Sequence, residues 1–386
     1  MKKFGGTSVG SIDLIQSVAA KIASEHRSAD SLVLVVSAMA KTTDDLVRLA
    51  YGISDHPSRR EFDMLLTAGE RISMSLMSLA LQEKGFSSIS FTGSQSGIMT
   101  DDKHGNARIL SVNAFRIREE LMLGKIVIVA GFQGVSSAKE ITTLGRGGSD
   151  TSAVALACYL KADRCEIYTD VDGVFTADPR IVPNARLLPS IDYARMLALS
   201  YNGSKVIHPR AVEFAYKYEI PVEVKSSFTF ASGTIIQKDY IKDNSMEERN
   251  ISAIAHKENL AKYVLSKNAA LLDLFQVWQN EIFKYYVDGD QIELLIEDKF
   301  QKEIDYLIEK NGLELIEKVD ALGCVNLIGL GINLDPCFLE KTIRICEPFD
   351  IKRIQHSEMT IELMLPSDQV QDCVRAVHSA FLGDSK

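Results

Sequence analysis

Four short, largely apolar runs, at residues 32–36, 125–130, 166–169 and 222–224, constrain this chain more than any other feature of it. They are too short for helices, and the first two have almost no polar alternation, the pattern of strands buried on both faces inside a parallel sheet. Helical patterns separate them through the first two thirds of the chain. The expected fold class is therefore α/β, with helices on both faces of a mostly parallel sheet. Each run gives way to a turn containing Gly, Ser, Thr or Asp, and in open sheets of this kind ligands collect beyond the carboxyl ends of the strands. The chemistry is to be sought there.

Composition narrows the function classes. The chain has 386 residues, enough for two or three domains of roughly 150 residues each. Its 46% hydrophobic and 25% charged residues match ordered globular proteins. No apolar run approaches the roughly 18 residues that span a bilayer. The start, Met1 to Gly6, enters a Gly-rich turn without the apolar core of a signal peptide, so a cytoplasmic protein is expected. A formal charge of −9 argues against nucleic acid or an anionic membrane as partner and leaves room only for a local phosphate site. Cys158, Cys165, Cys324, Cys337, Cys346 and Cys373 form no CxxC pair and lack His partners at metal-ligand spacing, so they read as reduced packing residues.

After the charged stretch 238–250 the rhythm changes to short strands and helices in two passes. The first holds a strand at 262–265, a helix carrying Leu271, Leu274, Phe275, Trp278 and Ile282, a strand at 292–296, another helix and a strand near 313–319. The second holds a strand at 325–330, a helix over 336–346, strands at 351–354 and 360–365, and a helix with Val370, Val374, Val377 and Phe381. Ser367 and Asp368 are the expected N-cap of that last helix. The pattern is that of two tandem βαββαβ units.

Three segments carry candidate chemistry. Lys3-Phe4-Gly5-Gly6-Thr7-Ser8 sets a lysine and paired glycines between a short strand and a helix starting near Ile12. Glycines let the backbone approach a phosphate, the helix start offers free N–H groups, and the lysine supplies charge. An ordinary strand-to-helix turn would look the same. Gly145-Arg146-Gly147-Gly148-Ser149-Asp150 precedes a small-residue helix over 153–160; its arginine can grip a carboxylate with two parallel hydrogen bonds, while a surface loop with an N-cap at Ser149 or Asp150 is the plainer reading. Thr169 to Arg180 leaves a strand and turns at Asp172-Gly173 and at Asp178-Pro179, which suits a nucleotide but is also ordinary turn chemistry.

Taken together with 65–70 (LLTAGE) and 204–211 (SKVIHPRA), and read in order with 3–9 (KFGGTSV), 145–153 (GRGGSDTSA) and 169–180 (TDVDGVFTADPR), these segments closely resemble the aspartokinases of the amino-acid kinase family. The resemblance implies the family's three-layer sandwich over residues 1–240 and a regulatory region over 241–386 made of two ACT domains meeting near 320. It implies transfer of the γ-phosphate of ATP to the side-chain carboxylate of L-aspartate, at the entry to lysine, threonine and methionine synthesis. ATP and Mg²⁺ would be the cofactors, the ion held mainly by the phosphates and not by a protein metal site.

Roles follow residue by residue. Lys3 resembles the lysine on the transferring phosphoryl and Asp150 the aspartate that orients it; Gly5 and Gly6 would cradle phosphate. Ser37 and Thr43 are similar to positions that meet the substrate, Glu70 to the acid receiving its α-ammonium, and Arg146, with Gly147, Gly148 and Ser149, to the α-carboxylate site. Thr169, Asp170, Phe175, Asp178, Arg180 and Lys205 match nucleotide-binding positions, Phe175 standing where tyrosine is usual. His208 reads as structural. The ACT resemblance implies a homodimer or higher homo-oligomer and an amino-acid effector, lysine foremost, although 266–270 lacks the Gly-containing loop usual before the first ACT helix. Another kinase of the same fold, or a silent amino-acid sensor, would leave part of this motif set unexplained.

Overall fold

The computed structural model describes residues 1–27, 30–238, 250–275, 282–332 and 334–383. The stretch expected to link the two regions thus lies, at 239–249, outside the described residues, as does Trp278. The chain divides into two compact units.

The first unit comprises Met1–Val174, Leu187–Ser200 and the chain from Lys205 to the strand Thr234–Gln237. Its eight-stranded sheet runs in the order Ser190–Asp192, Thr234–Gln237, Val222–Ser226, Cys165–Thr169, Lys2–Phe4, Val33–Val36, Ile126–Ala130, Ser88–Phe91. From Val222–Ser226 across to Ser88–Phe91 all neighbours are parallel. The four expected strands are all present, and Val33–Val36 and Ile126–Ala130 are buried at every residue. Helix Ile12–Glu25 starts where Ser11 Oγ accepts the Leu14 N–H, and buries Ile15, Val18, Ala19 and Ile22 at helical spacing. Helix Ala68–Glu83 packs against the same core with Met74, Met77 and Leu81. A four-stranded sheet, Ile109–Val112, Ile98–Thr100, Gln133–Ser136 and Ile141–Thr143, completes the unit.

Helix Gly148–Leu160 is buried along Thr151 to Ala157, and small residues let it lie close to its neighbours. Its N-cap is Gly147, in left-handed conformation at φ 63°, and neither Ser149 nor Asp150 caps it; the helix begins earlier than capping preferences indicate because Gly147 takes that conformation cheaply.

The second unit comprises Phe175–Arg186, Tyr201–Ser204 and the chain from Asn250 onward. Its sheet is six-stranded and antiparallel, in the order Ile282–Asp288, Gln291–Glu297, Asn250–Ser266, Leu315–Leu330, Thr360–Pro366, Arg353–His356. The two long strands pass through both βαββαβ passes. Asn259 and Ala321, at φ 57° and 56°, interrupt the two strands, and the register shifts beside them. One core gathers Tyr263, Leu265, Leu294, Ile304 and Ile308 under helix Gln301–Lys310. The other gathers Leu327, Leu363, Val374 and Val377 under helices Pro336–Cys346 and Val370–Leu382, joined by Ala177, Ile181 and Val182.

Three local expectations change. Ile282 opens the strand Ile282–Asp288, not the end of a helix, and the helix before it spans Ala269–Leu274; the 3.6-residue spacing of apolar side chains ran by coincidence into a half-exposed strand. That strand was not expected at all. Ser367 does not cap the last helix, which begins at Val370 after a short 3-10 turn; its hydroxyl accepts the Asn259 N–H instead.

Candidate active site

The parallel strands Lys2–Phe4, Val33–Val36, Ile126–Ala130 and Cys165–Thr169 end side by side, and their first loop residues are stitched together by backbone bonds. Gly5 N–H donates to the Tyr168 carbonyl (3.1 Å), Ser37 N–H to that of Phe4 (3.1 Å), Ala40 N–H to that of Gly6 (3.0 Å), and Gly131 N–H to that of Val36 (3.0 Å). A Cβ on Gly6 would lie 2.9 Å from the Ala38 carbonyl oxygen, so the turn closes this tightly only with glycine there.

Lys3 is almost buried, yet its ammonium pairs with Asp150 Oδ1 at 2.6 Å, from the first turn of helix Gly148–Leu160. A lysine so placed needs its counter-charge, because burial of an unpaired ammonium costs several kcal/mol. The pair joins the N-terminal strand to the second glycine loop, segments that lie nearly 150 residues apart in sequence. Next to it the Ser8 hydroxyl is buried without a partner.

Glu70, in the first turn of helix Ala68–Glu83, is 3% exposed. Its Oε1 accepts the Ala38 N–H at 3.1 Å, while Oε2 is buried without a partner. Burial pushes its carboxyl up to about 7, against which the Ala38 bond is a smaller opposing influence. Ser73, one turn further along, donates its hydroxyl to the Ser37 carbonyl at 2.7 Å and fixes the strand-end loop. The Thr42 methyl packs toward Gly69, and Thr43 follows it in the first turn of helix Thr42–Ile53.

Arg146 is exposed between Gly145 (φ 74°) and Gly147 (φ 63°). A Cβ on Gly147 would lie 2.2 Å from the His208 ring. His208 is the N-cap of helix Pro209–Tyr218: its Nδ1 accepts the Arg210 N–H, and burial lowers its affinity for a second proton. His208 is thus structural, with the added task of walling the arginine loop. Ser149 lies against Gly131, where any Cβ would approach it to 2.8 Å.

The remaining candidates are distributed differently. Thr169 ends its strand, and its hydroxyl donates to Asp170 Oδ1 at 3.1 Å. Lys205 is exposed in the loop between helices Tyr193–Tyr201 and Pro209–Tyr218 of the first unit. Phe175, Asp178 and Arg180 fall in the second unit. There Arg180 donates its Nε and Nη2 to Asp178 at 3.0 and 2.6 Å, which holds that carboxyl below its ordinary range. Within the same unit Thr176 bonds the His378 ring at 2.9 Å and accepts the Ile254 N–H on its carbonyl at 2.8 Å.

Sequence reasoning gave no part to Asp63, Thr143 or Arg210. Asp63 is fully buried and accepts hydrogen bonds from His104, Gly105 and Thr143. The one sequence cue is an acid on the inner, leucine-bearing face of a short helix.

A parallel sheet whose strand ends carry glycine turns, a buried Lys–Asp pair and a carboxylate with a free oxygen defines a small-molecule kinase of the amino-acid kinase type, and the model of the Amino acid kinase family matches residues 2–226. Aspartokinase from Bacillus sp. (strain MGA3) is 42% identical over 396 residues, covering 99% of this chain and 96% of its own. Aspartokinase 2 from Bacillus subtilis (strain 168) is 42% identical, covering 99% and 97%. The solved structure of E. coli aspartokinase III in complex with aspartate and ADP has the same fold at 24% identity, with a TM-score of 0.82 and 98% of each chain covered. The chain belongs to the aspartokinases, within the amino acid kinase family. Among the described residues no helix is long and apolar enough to cross a membrane.

Proposed function

We propose that this aspartokinase carries out its transfer by holding two anions together, without a general base. The side-chain carboxyl of aspartate ionises near pH 3.9, so at neutral pH it is already the nucleophile, and its repulsion by the triphosphate is what opposes reaction. A carboxylate oxygen attacks the γ-phosphorus, the bond to the β,γ-bridging oxygen breaks, and ADP leaves with that electron pair; the product is aspartyl 4-phosphate. The observation that carries this reading is the Lys3–Asp150 pair at 2.6 Å beside the Gly5-Gly6 turn. Asp150 keeps the ammonium fixed, and Lys3, with Lys205, neutralises charge on the phosphoryl group as it moves.

Aspartate is held by Glu70 at its α-ammonium and Arg146 at its α-carboxylate, with the Gly147, Gly148 and Ser149 amides beside it and Ser37 and Thr43 near the reacting end. Thr169, Asp170, Phe175, Asp178 and Arg180 take the nucleotide, Phe175 by stacking or packing only. Mg²⁺ would arrive on the phosphate oxygens, which suits an ion that prefers substrate phosphates and water. When bound it supplies charge neutralisation. Residues 1–240 form the catalytic part of this reading, and 241–386 a lysine-sensing ACT region, divided near 320, that joins subunits.

The test is Lys3→Ala, followed by coupled ADP release with and without aspartate. Turnover should fall at least about a hundredfold, with aspartate-dependent ADP release in the parent enzyme. Near-normal turnover in the variant would remove Lys3 from the mechanism.

A further inference from the structure

Asp63 has no part in the reading above, yet its surroundings lead to the aspartate site. It sits on helix Arg59–Leu66 with no exposure at all. Its Oδ1 accepts the Thr143 hydroxyl at 2.6 Å and its Oδ2 the Thr143 N–H at 3.1 Å. The Gly105 N–H lies 3.1 Å from both oxygens, and His104 Nδ1 lies 2.7 Å from Oδ2. A carboxylate can only accept, so His104 presents an Nδ1–H to it. A fully buried carboxylate costs several kcal/mol unless its lone pairs are filled, and here donors from the turn at 104–105 and from the end of strand Ile141–Thr143 fill them.

Those two segments form the stem of the Arg146 turn. Thr143 is three residues before Arg146, and Leu144 between them is bonded on both sides: its N–H donates to the Phe132 carbonyl at 2.8 Å, and its carbonyl accepts Arg210 Nη1 at 2.5 Å. Arg210 also reaches the Ala107 carbonyl at 2.9 Å. Gly145 passes so close to the other loop that a Cβ there would lie 3.0 Å from the Gly105 carbonyl oxygen. Arg146, flanked by two left-handed glycines, is carried at the tip of this stem.

We propose that Asp63 is a positioning residue for aspartate recognition, locking Thr143 and Gly105 together so that Arg146 is held where the α-carboxylate binds. The inference rests on Arg146 being that grip. Loss of the lock lets the turn shift, and a shift of about an ångström in a gripping group is enough to cost one to two orders of magnitude in substrate use.

Asp63→Asn keeps the shape but turns an amide toward donors. Expected is a rise of about tenfold or more in the KM for aspartate, with the KM for ATP within about twofold and kcat little changed. Thr143→Val, which removes one hydroxyl bond and keeps the backbone, should move the aspartate KM the same way by about threefold, and decides the matter if Asp63→Asn does not fold. In an Arg146→Ala background, Asp63→Asn should add nothing, since it acts through that side chain. A rise in the aspartate KM for Arg146→Ala but not for the Asp63 or Thr143 variants overturns this proposal alone, as does an equal rise for aspartate and ATP. An aspartate KM untouched by Arg146→Ala overturns the reading of the site beneath it.

Discussion

Glu70 shows how one side chain sets conditions for the whole site. Its carboxyl is raised from 4.5 to about 7 by burial. In the free enzyme it is therefore partly protonated at neutral pH, whereas the grip on an α-ammonium proposed for it needs the anion. We predict that kcat/KM for aspartate falls about tenfold per pH unit below about 7, and that Glu70→Gln gives a low, flat profile over the same range. The stability consequence has the opposite sense. Between about 4.5 and 7 the folded state retains a proton that the unfolded chain has released, so stability drops as pH rises and the cost is complete above about 7. Glu70→Gln should thus raise unliganded stability at about pH 8, by about 3 kcal/mol at the upper end, and change it little at about pH 4; thermal denaturation at the two values checks this. The motif singles out Glu70, but its burial was not legible, since an acid beside Arg71 on a helix reads equally as solvated. Asp63 was not legible, because what makes it matter is donors from residues 104, 105 and 143, far off in sequence.

At the scale of elements, the sheet was readable because burial on both faces leaves an uninterrupted apolar run, as in Ile126–Ala130. The strand Ile282–Asp288 was not, because it lies at the edge of its sheet and is partly exposed along its length, so no run or clean alternation marks it. The cap of helix Gly148–Leu160 was misplaced for a related reason: capping preference acts locally, but here the left-handed turn at Gly147 packs against the His208 ring from elsewhere in the chain. Gly147→Ala tests that account. It combines a left-handed φ of 63° with a Cβ 2.2 Å from the ring, and should cost about 2 kcal/mol or more in urea unfolding. Gly52, with nothing within 4 Å of a Cβ, should accept alanine without loss.

For the molecule as a whole, reading along the sequence gave the order of the regions but not the excursions Phe175–Arg186 and Tyr201–Ser204, which cluster with the C-terminal sheet. Linear order cannot reveal them, because the residues clustered with Ala177 and Ile181 lie far along the chain, at Ile251, Ile254 and past Val325. If the ACT region senses lysine, a titration by thermal shift should raise Tm with lysine and not with threonine or methionine, approaching about 2.7 kcal/mol of stabilisation at a hundredfold excess over Kd. Flat curves with all three would remove the sensor.

The bends at Asn259 and Ala321 sit opposite each other, where Leu260 pairs with Leu322. The chain therefore leaves for the Tyr263 core and comes back at adjoining rungs of one ladder, so that everything between is a detour closed at its base. A tight hairpin grafted across those rungs would shorten the protein by roughly sixty residues, but would also take Leu295 out of the cluster it forms with Leu322, Cys324 and Met364, and Lys284 and Tyr286 away from Glu362. Glu362, nearly buried in the half that remains, would lose its Lys284 counter-charge, so the detour is tied to the rest of the sheet by more than its base.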